Sequence, residues 1–227
     1  MKTELCEKQG IQLIHVFESE WLNKCDIVKS RLANMLGKYD RTIYARTCEI
    51  KEISNDISNE FIDKNHIQGH VNAKVSIGLF HLGELISVMT FGKSRFNKKY
   101  EWELLRFCNK LNYHVPGGAS KLLRFFERTY CPTSLVSYAD RRWSIGKLYT
   151  ALGFNLDHKS APNYWYFKSF KNPKLESRIQ FQKHKLKNIL PKFDESRSEF
   201  ENMSDNGFYR IFDCGNLVFE KLYTSII

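Results

Sequence analysis

His114-Val115-Pro116-Gly117-Gly118-Ala119 is the stretch on which the fold turns. A strand-forming run over 100–108 precedes it. Leu122, Leu123, Phe125 and Phe126 follow at helical spacing. A strand, then glycines, then a helix start aims backbone N–H groups and a helix N-terminus at phosphate. Taken alone, the stretch also fits an ordinary strand-to-helix turn, so its surroundings decide.

Working outward, 42–53 reads as a strand, and Ser54 or Asn55 can cap a helix through Ile57, Phe61 and Ile62. Residues 74–81 and 85–92 pair as a hairpin about Leu82-Gly83-Glu84. Beyond the glycines come a helix over 119–130, a strand over 134–139, a helix over 145–152 and an aromatic strand over 163–170. The order β-α-β-β-β-α-β-α-β predicts an α/β (α+β) fold over 41–170, a mixed central sheet with flanking helices, with small N- and C-terminal appendages. In the first appendage, 1–40, residues 10–18 read as a buried strand and 21–36 as a helix closing at Gly37. One strand and one helix cannot bury a core of their own, so this piece must dock on the rest. The second appendage, 171–227, starts basic: Arg178, Lys183, His184, Lys185 and Lys187 share an expected helix with Ile179, Phe181, Leu186 and Ile189. Residues 207–216 read as a strand ending in a tight turn.

The formal net charge is +10, an excess that favours a polyanionic partner through phosphate contacts and counterion release. RNA or a membrane surface would satisfy the same balance. No apolar run approaches the roughly 20 residues needed to cross a bilayer, and Met1-Lys2-Thr3-Glu4-Leu5 lacks a secretory pattern. The expectation is a cytoplasmic protein with no membrane partner. The six cysteines form no CxxC or Cys/His cluster, which predicts neither a metal site nor a disulfide framework.

Three motifs together resemble the GNAT acyltransferases. The loop at His114 fits their Gln/Arg-x-x-Gly-x-Gly/Ala pyrophosphate loop from Gly117 onward, with histidine at its first position. Lys147-Leu148-Tyr149-Thr150-Ala151-Leu152-Gly153-Phe154 is similar to the family's LYxxxGF element. Leu135-Val136-Ser137-Tyr138-Ala139-Asp140-Arg141-Arg142-Trp143, running on to Tyr149, resembles the Mom subgroup of phage GNAT proteins. So do Glu103-Leu104-Leu105-Arg106-Phe107 and Asn65-His66-Ile67-Gln68-Gly69; the likeness spans roughly 65–167. Residues 8–21 resemble the last strand and helix of the Vsr-like nuclease module of phage homing endonucleases. The acidic metal positions of that module would precede Met1, so hydrolysis is not expected. The C-terminal stretch resembles proteins associated with the same endonucleases.

The resemblance implies acetyl-CoA or another acyl-CoA as donor, bound at His114, Val115, Gly117, Gly118, Ala119 and Ser120. It implies Tyr149 as proton donor to the leaving thiolate, the alternative being a core tyrosine. The Mom subgroup places an acetamido-type group on the exocyclic amine of adenine in DNA. His66 stands as base or substrate-positioning residue, with His70 its competitor. Asp140 either accepts from a substrate amine or caps the next helix, and Ser120 either binds pyrophosphate or caps. Glu103 and Arg106, three apart on a strand, point to opposite faces, so only one faces the cleft; Arg106 contacts phosphate or anchors a fold ion pair. Arg141-Arg142-Trp143 joins cations to an aromatic face, suited to phosphate contact and base stacking. With Arg178, Lys183 and Lys185 it makes DNA the best polymer candidate, a paired base being flipped out to react. The expected function is therefore acyl transfer to nucleic acid. The alternatives are a non-catalytic DNA-binding relative of homing endonucleases and a GNAT enzyme acting on protein or small-molecule amines.

Overall fold

The computed structural model describes residues 2–171 and 173–223. The chain begins with α1 (Lys2–Lys8), α2 (Glu18–Asn23) and α3 (Cys25–Met35), then β1 (Arg41–Thr42) and β2 (Glu49–Glu52). Next come α4 (Asn55–Asn65), β3 (Val75–His81), β4 (Glu84–Lys93), β5 (Trp102–Asn109), β6 (Tyr113–His114) and α5 (Gly118–Tyr130). They are followed by β7 (Ser134–Asp140), α6 (Lys147–Ala151), β8 (Asn155–Lys159), β9 (Tyr164–Phe167) and β10 (Glu176–Ser177). The last elements are α7 (Lys183–Leu186), α8 (Glu199–Asp205), β11 (Tyr209–Phe212) and β12 (Asn216–Leu222). Among the described residues no helix is long and apolar enough to cross a membrane.

The chain divides into two units. The larger comprises Lys24–Ala139, Ser144–Lys159 and residues 217–223; the smaller comprises residues 2–23, Asp140–Trp143 and Ser160–Asn216. In the larger unit a seven-stranded mixed sheet runs β2-β3-β4-β5-β7-β12-β8. Pairing is antiparallel from β2 through β5, parallel between β5 and β7, and antiparallel between β12 and β8. Successive residues of a strand face opposite sides, and β4 shows both. Met89 and Phe91 join the core under Leu122, Leu123 and Phe126 of α5, whereas Val88 packs with Ile62 of α4 and Cys108. Burying Leu122, Leu123 and Phe126 contributes about 1.5–3 kcal/mol each. Helices thus cover both faces, as the α/β (α+β) reading expects.

Local chemistry explains several elements. Ser54 Oγ accepts the Ile57 N–H and starts α4. Leu82 and Gly83 both take positive φ and turn the β3–β4 hairpin. The capping box of Ser198 and Glu201 starts α8. In the smaller unit, β10, β9 and β11 form a three-stranded sheet beside a second core of Tyr166, Phe181, Leu186, Leu190, Met203 and Phe208.

Four expectations are corrected. Residues 10–18 form no strand up to Phe17, and Glu18 already begins α2; no neighbouring strand takes up their backbone groups, and Phe17 alone is buried, edge-on to Trp165. The helix expected over 21–36 breaks at Lys24, whose φ of −138° is not helical. The run 42–53 divides into β1, a 3-10 turn at Ala45–Thr47 and β2. The aromatic strand over 163–170 belongs to the small sheet as β9, while β12 fills the central sheet between β7 and β8. Divisions at 40 and 170 therefore cut across the units, because the last central strand returns after the insertion Ser160–Asn216.

Candidate active site

The larger unit brings its chemistry together where β5 and β7 part. They pair only at Trp102↔Leu135 and Glu103↔Val136, although both strands continue. Ser137 Oγ spans to the Leu104 carbonyl at 3.0 Å, and beyond it the remaining length of β5 has no β7 residue alongside in register. A cavity of about 440 Å³ follows, lined by Phe107, Cys108 and Asn109 of β5, Lys110 and Leu111 after it, Leu148 of α6, and Ser30, Arg31, Asn34 and Met35 of α3.

A bulge in β5 decides which side chains point where. Phe91 pairs with Leu104 and Thr90 with Arg106, so Leu105 is the extra residue. Glu103 opposes Gly92 and Arg106 opposes Thr90, two apart on β4, so both lie on its α4 face. Spacing alone predicts opposite faces for Glu103 and Arg106; the bulge cancels that prediction. Glu103 is 1% exposed and forms an ion pair with Arg95 at 2.5 Å, and it accepts the Arg95 backbone N–H at 3.1 Å. Arg106 donates to the Gly69 carbonyl and the Leu105 carbonyl, both at 2.8 Å. Burial, with the Arg95 charge adding to it, lowers its pKa to about 10, so it stays cationic at neutral pH. Within the fold its contacts are to carbonyls, and it ties the Gly69 loop to the bulge.

Tyr149, on α6, packs its ring against Phe219 and Phe154 and lies 3.1 Å from Ser137 Oγ. Burial raises its pKa, so the phenol keeps its proton throughout the neutral range. Gly146, with a φ of 85°, starts α6 and permits Phe219 to approach where a Cβ would stand 2.4 Å from its ring. A protonated phenol beside the parted strands is a proton donor for an anion forming there.

The two histidines separate. His66 ends α4, and its Nδ1 accepts the Gln68 N–H at 3.2 Å, which leaves the ring proton on Nε2. Burial, then the charges of Arg106, Arg31 and Lys24, holds its pKa well below the usual value. It is therefore a neutral N–H donor, a positioning group rather than a base. His70 has the geometry of a base: its Nδ1 is 2.8 Å from Asp63 Oδ2, and its backbone N–H donates to Asp63 Oδ1. A carboxylate accepts only, so Nδ1 carries the proton and Nε2 the lone pair. Burial alone would raise the pKa of Asp63, but the His70 contacts and Lys24 outweigh it and keep the carboxylate charged.

The glycine loop divides into two roles. His114 lies in β6, pairs with Thr42 and stacks on Tyr39 at 4.6 Å; Val115 is buried in the core. Those two expected binding residues are structural. From Gly117, with a φ of 76°, α5 begins with no side chain capping its first turn, so the N–H groups of Ala119 and Ser120 point outward without a side-chain acceptor. Gly118 is needed for close packing, since a Cβ there would meet Val115 at 3.1 Å. Ser120 lines a second cavity of about 750 Å³ with Pro116, Gly117 and Lys121. Lys121 was not singled out from the sequence, although it shares an i, i+3, i+7 stripe with Arg124 and Arg128.

The smaller unit overturns the expected nucleic-acid loop. Arg141, Arg142 and Trp143 are 7%, 4% and 2% exposed. Arg141 reaches Glu7 at 3.0 Å, Glu4 at 3.3 Å and the Cys214 carbonyl at 2.9 Å. Arg142 reaches Glu20 at 2.9 Å and Asp140 at 2.8 Å. Asp140 also accepts the Arg142 N–H at 2.9 Å. Asp140 is thus engaged by a buried cation and serves the loop, not an incoming amine. Lys183 and Arg178 remain exposed, and Lys185 caps the Ile179 carbonyl at 3.0 Å. They do not share one helix, because Gln182 is extended and divides a 3-10 turn from α7.

No protein-family profile and no curated protein matches the chain. Among solved structures, it is similar to an IAA acetyltransferase from Bacillus cereus, 16% identical, covering 78% of this chain and 99% of that one at a TM-score of 0.42. It is similar to an N-acetyltransferase from Staphylococcus aureus, 14% identical, covering 77% and 98% at 0.42. A Bacillus subtilis acetyltransferase in complex with CoA is 15% identical, covering 78% and 99% at 0.42. At such identities and scores these likenesses say nothing of what the chain binds or does.

Proposed function

We propose that this chain is an acyl-CoA-dependent N-acyltransferase of GNAT type whose acceptor is an amine of nucleic acid, a DNA base amine in the first instance. The observation that carries the reading is the early parting of β5 from β7, with the protonated Tyr149 beside it and the cavity along residues 107–111 beyond it. A thioester arm fits that cavity as an extended chain, its amides meeting the β5 edge that β7 leaves. The uncapped first turn of α5 supplies N–H groups for the donor's pyrophosphate. When bound, acyl-CoA supplies the activated acyl group.

The residues then divide the proton work. His70 Nε2 takes the proton from the acceptor amine as its nitrogen lone pair forms the new C–N bond to the thioester carbonyl carbon. The C–S bond breaks, its electrons go to sulfur, and the Tyr149 phenol protonates the departing thiolate. Arg106 and the Nε2–H of His66 add positive potential and a donor near the developing charge. The net charge of +10 supports a nucleic-acid acceptor.

Isothermal calorimetry with acetyl-CoA tests the donor half. Binding by the natural chain, and loss of it on Leu148→Trp, which fills the cavity from its half-exposed wall, is the expected pair of results. No binding at millimolar acetyl-CoA sinks the enzyme. Mass spectrometry of nucleosides from DNA incubated with the protein and acetyl-CoA tests the acceptor; acylated protein or metabolite with unmodified nucleosides refutes the nucleic-acid half alone.

A further inference from the structure

The larger of the two cavities runs down the flank of α5 from Pro116 and Gly117, where the donor's pyrophosphate is placed, to Arg128 and Thr129, a length beyond that turn that the thioester arm does not use. Its lining combines the guanidiniums of Arg46, Arg124 and Arg128 with Tyr44 and Phe125. Among the described residues no acidic residue lines it and none of these three arginines is ion-paired. Tyr44 is 52% exposed, and the Arg46 guanidinium lies 5.2 Å from its ring. From these features we infer that the groove is a binding site for single-stranded nucleic acid, the track that holds the acceptor strand. This inference rests on the nucleic-acid acceptor proposed above.

The groove is built before any ligand arrives. Ile43 N–H donates to the His114 carbonyl at 2.9 Å and Ala45 N–H to the Pro116 carbonyl at 3.0 Å, extending the β1–β6 pairing. Lys121 Nζ donates to the Ala45 carbonyl at 2.9 Å and the Cys48 carbonyl at 2.5 Å, strapping the 3-10 turn to α5. Lys121 is therefore part of the wall, while Arg46, Arg124 and Arg128 are exposed on the rim. Phosphates placed on three guanidiniums, with bases against aromatic side chains, is the recognition pattern of a sequence-tolerant single-strand site. A duplex offers its bases stacked and paired, so ring contacts of this kind select the open strand. An acidic peptide satisfies the arginines and leaves the rings with nothing of matching shape.

Fluorescence anisotropy with a labelled deoxyoligonucleotide about a dozen nucleotides long, in single-stranded and duplex form, tests this. The natural chain is compared with Arg46→Glu/Arg124→Glu/Arg128→Glu, whose exposed sites leave the core intact, and with Lys98→Glu/Lys174→Glu, exposed and outside both cavities, as a basic-surface control. The groove variant is expected to bind the single strand at least 10-fold more weakly, and the control within twofold of the natural chain. Three lost phosphate contacts reduce the slope of log affinity against log salt by about 2. Tyr44→Ala alone is expected to weaken the single strand more than the duplex. Acetyl-CoA affinity stays unchanged in Tyr44→Ala, which alters no charge near the turn that holds the pyrophosphate. Equal oligonucleotide binding by groove variant and natural chain overturns the inference. A parallel loss of acetyl-CoA affinity in Tyr44→Ala also overturns it, assigning the groove to the donor. Absence of oligonucleotide binding by the natural chain, with acetyl-CoA binding retained, removes the nucleic-acid acceptor and this groove together while leaving the acyltransferase standing. Groove-dependent binding with unmodified nucleosides keeps the groove and refutes the acceptor chemistry.

Discussion

Replacing Arg142 by methionine distinguishes a buried structural cation from the exposed nucleic-acid contact that the sequence suggests. Its guanidinium donates twice to Glu20, at 2.9 and 3.0 Å, and once to Asp140 at 2.8 Å, and it lies 3.9 Å from the Phe17 ring. Glu20 and Asp140 are themselves 12% and 13% exposed, so Arg142→Met leaves two nearly buried carboxylates without their cation. Removing one partner from such a group costs about 3–5 kcal/mol. Contacts survive the change: Glu20 still accepts the Phe17 N–H at 3.0 Å and Asp140 the backbone N–H of residue 142 at 2.9 Å. The lower end, about 3 kcal/mol, is therefore expected. For a chain of this size that is a fall in Tm of roughly 6–12 °C. Urea denaturation followed by circular dichroism measures it. Arg142→Met/Asp140→Asn/Glu20→Gln, which removes the charges together, should recover most of the loss, since a neutral, packed cluster is about as stable as an ionic one. Oligonucleotide affinity should not change. If Arg142→Met is as stable as the natural chain yet binds oligonucleotide several-fold more weakly, the buried-cluster reasoning is wrong.

Tyr149→Phe should lower kcat for acyl transfer by about 100-fold, the usual worth of a proton donor, with the acetyl-CoA dissociation constant unchanged; thiol release reports the first and calorimetry the second. His66 titrates below its ordinary value of 6.5 in the folded chain, so the unfolded chain takes up protons first as pH falls. Full stability should hold above pH 6.5 and decline below it, towards the lowered folded value, and His66→Gln should flatten that decline in urea titrations at pH 7 and 5. Gly146→Ala should cost more than about 2 kcal/mol, because it adds a positive-φ penalty to a clash with Phe219, and a thermal melt indistinguishable from that of the natural chain would contradict it.

What was legible in the chain was local. The cap at Ser54 or Asn55, the Leu82-Gly83-Glu84 turn and the apolar stripe of Leu122, Leu123, Phe125 and Phe126 each specify their element within a few residues; the structure picks Ser54 as the cap and buries the stripe except Phe125, which is partly exposed. What was hidden was set by partners far along the chain. The run 10–18 has the composition of a strand, but a strand exists only where another strand takes its backbone bonds, and none does. Residues 163–170 look fit to close the central sheet, yet it is 216–222, not read as a strand, that enters it, pairing with β8 across an insertion that no local pattern announces. Arg141 and Arg142 read as solvent-facing cations because their acids, Glu4, Glu7 and Glu20, lie more than a hundred positions upstream.

The candidate site shows the same division at finer scale. Both residues used in the proton transfers are named from the sequence, Tyr149 inside a motif and His70 only as the competitor of His66, yet their roles depend on three geometric facts that the sequence does not show. The bulge at Leu105 places Glu103 and Arg106 on one face, and Arg106 thereby reaches the Gly69 carbonyl. That bond holds the turn between His66 and His70, where a single N–H from Gln68 occupies one imidazole and Asp63 orients the other. One extra strand residue thus positions the loop on which the choice between two histidines depends. Because the bond runs from Arg106 to a backbone carbonyl, Arg106→Lys keeps the charge but loses the fixed reach of the guanidinium. The consequence for catalysis should therefore appear as a lowered kcat with acetyl-CoA affinity unchanged, since the base rather than the donor site is disturbed. An unchanged kcat, with only acetyl-CoA binding weakened, would place Arg106 on the donor instead.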